Sequence, residues 1–278
     1  MKKLQIITLY FFFTGFASAT GQSFNYVVMN GDTLITYSNI LGQYPNIQEL
    51  YEKIYKEIEY EDRIINPHTY LYDEIECIEE HLIWTIQNEK VMLTQIASGS
   101  DKLVYADLKK IFGDKAAEGI VFADWLTDEI ILCNGEVLVT GGCPICDNEI
   151  ELIVKDGYVT ACTAYKNYIA KTSNFTVDES FVYNSIDWER LPHFKNKSIQ
   201  AFIEIRPNAD GLFESFDEGS FVLIDYKIVT DPDNVFLKEA FRIARLVPDW
   251  DVIYRKNEIL SQQLVIIFDK RMKKHVHK

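Results

Sequence analysis

Between residues 198 and 268 the hydrophobic periodicity runs from two to 3.6 and back to two, and this order restricts the fold more than any other feature of the chain. Ile199, Ala201, Ile203 and Ile205 alternate with Gln200, Phe202, Glu204 and Arg206, the pattern of a strand with one aliphatic face. Residues 208–211 form a turn, and residues 221–229 predict a second strand. Asp231 followed by Pro232 marks a helix start, because an acidic cap precedes a residue whose missing amide proton costs nothing in the first turn. Phe236, Ala240, Ile243, Ala244 and Val247 then line one helical face, which Leu237 and Phe241 widen, while Lys238, Glu239, Arg242 and Arg245 point elsewhere. Pro248 ends this helix, Trp250 folds back as a large apolar plug, and residues 264–268 supply a third strand.

The N-terminus begins Met1-Lys2-Lys3, continues through LQIITLYFFFTGF and reaches Ala17-Ser18-Ala19. A basic start, a short apolar core and an A-x-A step are the parts of a secretory signal, and cleavage after about Ala19 is expected. The apolar run is shorter than the roughly 20 residues of a spanning helix. Charges interrupt every later apolar stretch, so no membrane span is expected after cleavage, and the expected location is periplasmic or secreted. No cysteine follows the apolar run closely, so a lipid anchor is not indicated. A formal charge of −14 argues against nucleic acid as a partner, since phosphate-backbone affinity comes largely from Lys and Arg.

The mature length of about 260 residues suits one large domain or two ordinary ones. Residues 25–37 hold a Gly31-Asp32 turn between apolar runs, an entry strand or hairpin. Asn46 and Glu49 have the form of a capping box, and Ile47, Leu50, Tyr51, Ile54 and Ile58 recur at helical spacing. After a charged, loop-like stretch over 59–80, IWTIQ and VMLTQI flank Asn88-Glu89-Lys90 as a hairpin. Two further hairpins are expected at Asn134-Gly135, between EIILC and EVLVT, and at Asp156-Gly157, between IELIV and YVTACT. Residues 106–112 suit a short helix and 119–125 a buried strand or turn. The fold class is therefore α+β. Its expected parts are a signal over 1–19, a β-rich N-terminal domain with one or two helices over 20–166, a polar linker over 167–197, a small αβ domain over 198–271 and a basic tail over 272–278.

The strand and helix order of the last third, with KEAFRIARLVPDW in its helix, resembles the C-terminal domain family of the energy transducer TonB. The resemblance rests on Glu239, Ala240 and Arg242, on the Pro248-Trp250 step and on a last strand ending in Phe268; a long connection over 212–220 and Val252-Ile253 in place of Pro-Gly depart from it. It implies a domain that binds periplasmic partners, envelope proteins or peptides of outer-membrane transporters, by adding a strand to an open sheet edge. That edge would be residues 261–268, with Ser261, Gln263, Val265, Ile267 and Phe268 as the contact residues. A transducer also needs an inner-membrane anchor and a long Pro-rich spacer, whereas the seven prolines here are scattered singly, so the expectation is a protein that uses the module without transducing energy. The N-terminal part vaguely resembles an uncharacterised domain of secreted bacterial proteins, which implies no activity.

The sharpest chemical motif is Cys143-Pro144-Ile145-Cys146, accompanied by Cys133, Cys162 and the more distant Cys77. A CxxC of an exported protein is a structural disulfide, a redox pair or half of a metal site, and Cys133 and Cys162 would be needed to complete four ligands with Cys143 and Cys146. Its place between β-hairpins rather than at a helix N-terminus argues against redox catalysis. Five cysteines leave at least one thiol unpaired or bridging to another chain. The five histidines are dispersed, and no G-x-S-x-G, H-E-x-x-H or phosphate loop occurs. No cofactor and no catalytic residue are expected. The reading leans to a non-enzymatic envelope protein, the alternative being an exported thiol or metal protein, or a hydrolase, centred on Cys143 and Cys146.

Overall fold

The computed structural model describes residues 24–58, 80–98, 103–139, 144–194 and 198–269. The expected signal over 1–19, the stretch over 59–79, Cys77, Cys143 and the expected basic tail over 272–278 lie outside the described residues. Among the described residues the chain is α+β, with four α-helices and eighteen strands in three sheets. No helix there is long and apolar enough to cross a membrane. The chain divides into two compact units, residues 1–166 and 167–278.

In the first unit the order is β1 (Phe24–Met29), β2 (Asp32–Thr36), α1 (Ile47–Glu57), β3 (Glu80–Gln87), β4 (Lys90–Ser98), β5 (Val104–Tyr105), α2 (Leu108–Phe112), β6 (Ala116–Ala117), β7 (Ile120–Phe122), β8 (Asp128–Val139), β9 (Ile145–Lys155) and β10 (Tyr158–Lys166). One sheet runs β10-β9-β8-β2-β1-β3-β4-β7-β6, with only β1 and β3 parallel. It closes on itself where Tyr158 of β10 meets Lys90 of β4. At this seam Val91 N–H donates to Gly157 O at 2.9 Å and Val159 N–H to Glu89 O at 2.7 Å. Lys90 also lies over the rings of Phe122 and Tyr158, at 5.7 and 5.8 Å. The concave face buries Val27, Leu82, Trp84, Leu93, Leu132 and Leu152 against Leu50 and Ile54 of α1 and Leu108 and Ile111 of α2. Trp84 is fully buried, and its indole N–H donates to Asn25 Oδ1 at 2.9 Å, so the polar atom enters the core already paired.

Local chemistry explains where these elements start and turn. Asn88-Glu89 and Asp156-Gly157 sit at positive φ and close the β3–β4 and β9–β10 hairpins. Asn134-Gly135 makes no hairpin: β8 continues through it as a bulge, and pairing with β9 resumes at Val137–Cys146. Gly135 at φ 98° supplies the backbone the bulge needs, and Asp147 accepts the Glu136 N–H at 2.9 Å. Asn46 precedes α1 in the left-handed region without a side-chain bond, so the expected capping box does not form.

A disulfide joins Cys133 to Cys146 across this bulge, with Cα atoms 5.6 Å apart. Cys146 therefore pairs outside its CxxC. The bulge lies in β8, the strand that holds Cys133, and in the register of the two strands Cys133 stands opposite Glu149 and Cys146 opposite Val137.

The second unit comprises β11 (Tyr168–Lys171), α3 (Glu179–Ser185), β12 (Ile199–Pro207), β13 (Phe213–Phe216), β14 (Phe221–Ile224), β15 (Lys227–Val229), α4 (Val235–Ala244), β16 (Val252–Arg255), β17 (Glu258–Ile259) and β18 (Gln262–Ile267). β12 is central: β14 and β13 follow one of its sides in turn, β18 the other, and β15 pairs with β14. Ile199, Ala201, Ile203 and Ile205 of β12 and Leu264 and Ile266 of β18 form one apolar face, on which Phe236, Leu237, Ala240 and Ile243 of α4 pack. β11, β16 and β17 make a small separate sheet.

Three expectations need correction in this unit. The expected linker over 167–197 is structured in its described part, 167–194: β11 and α3 form there, and Phe181, Ile186, Trp188, Leu191 and Phe194 enter or abut the second core. Its apolar content is aromatic and spaced by polar residues, so it lacks the aliphatic periodicity of a core element. The helix starts at Val235, not Pro232, because Asn234 Oδ1 accepts from Phe236 N–H at 3.0 Å, while Asp231 caps the preceding turn through Asp233 N–H at 2.9 Å. The predicted strand over 221–229 is a hairpin of β14 and β15, turning at Asp225-Tyr226 with φ of 49° and 65°.

Replacing both bridged cysteines, Cys133→Ala with Cys146→Ala, is predicted to cost the first unit about 3 kcal/mol, the value for a loop of this size. Denaturant unfolding with and without reductant checks this; identical midpoints for the two proteins would contradict a structural role.

Candidate docking edge

β18 has one partner among the described residues, and the hydrogen-bond register shows which of its groups that partner leaves over. Phe268 N–H donates to Ile199 O at 3.0 Å, so bonding positions along the β12–β18 pair alternate from there. Residues Ile266, Leu264 and Gln262 then face β12, and Ile267, Val265 and Gln263 turn their backbone groups away from it. The partners of Glu204 agree, for its N–H donates to Ser220 Oγ and its O accepts from Asp217 N–H, both at 3.0 Å and on the far side of β12 from Gln263. At the C-terminal end Asp269 N–H closes the Ile267 carbonyl at 3.2 Å. What faces outward is the N–H and C=O of Gln263, those of Val265 and the N–H of Ile267.

The expected contact residues divide accordingly. Gln263 and Ile267 are exposed and Val265 half-buried, all on the sheet face opposite α4. That face also carries Phe202 and Phe221, stacked at 4.8 Å, and Leu223 and Ile228 of β14 and β15. Phe268 belongs to the core, 1 % exposed and against Phe236. Ser261 precedes the strand and donates its hydroxyl to Asp217.

Beside Ser261 lies an open cleft of about 310 Å³ that the periodicity did not single out, lined by Glu204, Arg206, Asp217, Ile259, Leu260 and the Arg255–Glu258 turn. Its local signal is Arg255-Lys256-Asn257-Glu258, a charged turn between two apolar pairs.

Two polar locks hold the frame of this edge. Glu239, buried on α4, accepts from Arg242 Nε at 2.9 Å and from Asp187 N–H at 2.6 Å, and Arg242 also donates to Ser185 O. The Glu239 carboxylate beside it raises the Arg242 guanidinium above its ordinary pKa. The Glu239 and Arg242 that carry the sequence resemblance thus tie α4 to the end of α3. At the Pro-Trp corner, Lys171 donates to Asp249 and to Asp210 O, Asn174 N–H donates to Asp249 Oδ2 at 3.1 Å, and Trp250 N–H donates to Gly211 O at 2.8 Å. The Lys171 bond, then the Asn174 N–H, hold the Asp249 carboxyl below its usual pKa. Gly211, at φ 79°, is required here, since a Cβ would stand 2.6 Å from Trp250 O.

The four cysteines considered as ligands do not form a set. Cys133 and Cys146 are bonded to each other, Cys162 is an exposed free thiol opposite Leu152, and Cys143 lies outside the described residues. Among the described residues no three His, Cys, Asp or Glu side chains converge as a metal site. No protein-family model, curated protein or solved structure matches the chain.

Because folding lowers the Asp249 pKa, its stabilisation is full above the ordinary carboxyl value of about 4 and disappears as pH falls through the folded value. Asp249→Asn is therefore predicted to be less stable than the parent at pH 7, with the gap narrowing below about pH 4. Urea unfolding of both proteins across pH 2–7 measures it; a gap that stays constant to pH 2 would refute the assignment.

Proposed function

We propose that the chain is an exported, non-enzymatic envelope protein whose second unit is a TonB C-terminal-like module that binds a partner by strand addition along β18, without itself transducing energy. The observation that carries this reading is the one-sided pairing of β18, a strand whose sequence QQLVII contains neither a charge nor a proline. Natural sheets usually blunt such edges with Lys, Pro or inward charges, because unpaired backbone groups template further pairing. Here those defences are missing from the strand itself, and its outward groups lie beside the apolar face of Phe202, Val265 and Ile267. The order strand, hairpin, helix, strand, with Glu239, Arg242 and Trp250 in core-locking positions, supports the likeness to the TonB module. The export reading rests on the N-terminal basic, apolar and A-x-A sequence.

Val265→Pro gives a selective test. It removes an N–H that points away from β12 and fills the edge with a ring, a place where sheets tolerate proline. The variant is predicted to keep the parental circular dichroism and melting profile while losing capture of envelope proteins by the immobilised mature chain. Unchanged capture by a folded Val265→Pro protein would count against docking at β18.

A further inference from the structure

Resting on strand addition at β18, we infer that the docked segment runs antiparallel to β18 and is followed by a Lys or Arg, which the cleft beside Ser261 receives. Every pairing in the five-stranded sheet is antiparallel. A segment that continues the pattern runs opposite to β18, and its C-terminal side arrives at Ser261. The two ends of the edge differ. At Ile267 the carbonyl is closed by Asp269 N–H, whereas Ser261, which precedes the strand at its other end, lines the cleft of about 310 Å³. The residue following the paired stretch enters it.

The charges lining the cleft are equal in number but not in state. Asp217 accepts from Arg206 at 3.3 Å and from the Ser261 hydroxyl, and Arg255 and Lys256 each interact with other groups. Among the described residues the carboxylates of Glu204 and Glu258 make no hydrogen bond or ion pair. Glu204 and Glu258 are therefore the charged side chains of the lining with no partner among the described residues, and the net −14 of the chain adds to their sign. A basic side chain fits both parts of the lining, with its aliphatic stem on Ile259 and Leu260 and its head at the two carboxylates. Upstream of that residue, side chains on the face of Val265 and Ile267 meet the Phe202 row and are apolar at alternate positions.

The test uses the intact mature chain and three dye-labelled, end-blocked peptides that alternate Thr and Val, ending in Lys, ending in Glu, or beginning with Lys. Fluorescence anisotropy is expected to show the Lys-ending peptide bound roughly tenfold tighter than the Glu-ending one. The Lys-first peptide is expected to gain nothing, and Glu204→Gln with Glu258→Gln to reduce the Lys-over-Glu preference to about twofold or less. Equal binding of the first two peptides, or preference for Glu, overturns the basic-residue inference and leaves strand addition standing. Absence of binding by all three overturns strand addition together with it.

Discussion

The second unit depends on β12 being bonded along both sides and buried on one face. Ile199, Ala201, Ile203 and Ile205 are 0–1 % exposed beneath α4, and burial of such aliphatic side chains contributes about 1.5–3 kcal/mol for each large one. A strand in that position must hand its backbone groups to neighbours, and the sheet does so alternately: Gln200, Phe202 and Glu204 toward the β14 side, and Ile199, Ala201, Ile203 and Ile205 toward β18. β18 is held by those bonds and by Leu264, Ile266 and Phe268 in the core, so its other edge can remain open without loss of the fold. The proposed docking function is a consequence of that division of labour within one strand.

The polar locks explain why a small unit can hold an edge in a defined place. Glu239 with Arg242 ties two helices together through partly buried, charge-assisted bonds, and Asp249 with Lys171 ties the Pro-Trp corner to β11. Both locks lie in or beside the residues on which the TonB resemblance was drawn, which gives those residues a structural meaning independent of any resemblance. The first unit meets a different requirement, since its sheet turns back on itself at Tyr158 and Lys90 and packs its concave face around two helices.

What the amino-acid pattern made legible was the set of long, periodic elements: α1, α4, β12, β18 and the hairpins at Asn88 and Asp156 show in spacing and turn chemistry alone. What it hid depended on a partner elsewhere in the chain. Asn134-Gly135 and Asp156-Gly157 carry the same conformational licence, and only the continued pairing of β8 with β9 makes the first a bulge and the second a turn. Asp231 and Asn234 are both good caps, and the side-chain bonds of Asn234 to two amides settle the helix start. The aromatic residues of 175–194 look like loop decoration until a core stands beside them. Cys146 is bonded to Cys133 of the neighbouring strand rather than within its motif. At the edge itself, alternation marked Gln263, Val265 and Ile267, but the inward turn of Phe268 and the cleft beside Ser261 follow from register and from neighbouring turns.

An open edge with alternating backbone orientation is the central claim, and amide hydrogen exchange resolved residue by residue tests it most directly. The account predicts slow exchange for Leu264, Ile266 and Phe268, whose N–H groups face β12, and fast exchange for Gln263, Val265 and Ile267 in the same strand. Uniform protection from Gln262 to Phe268 would contradict it, because the edge would then already be covered.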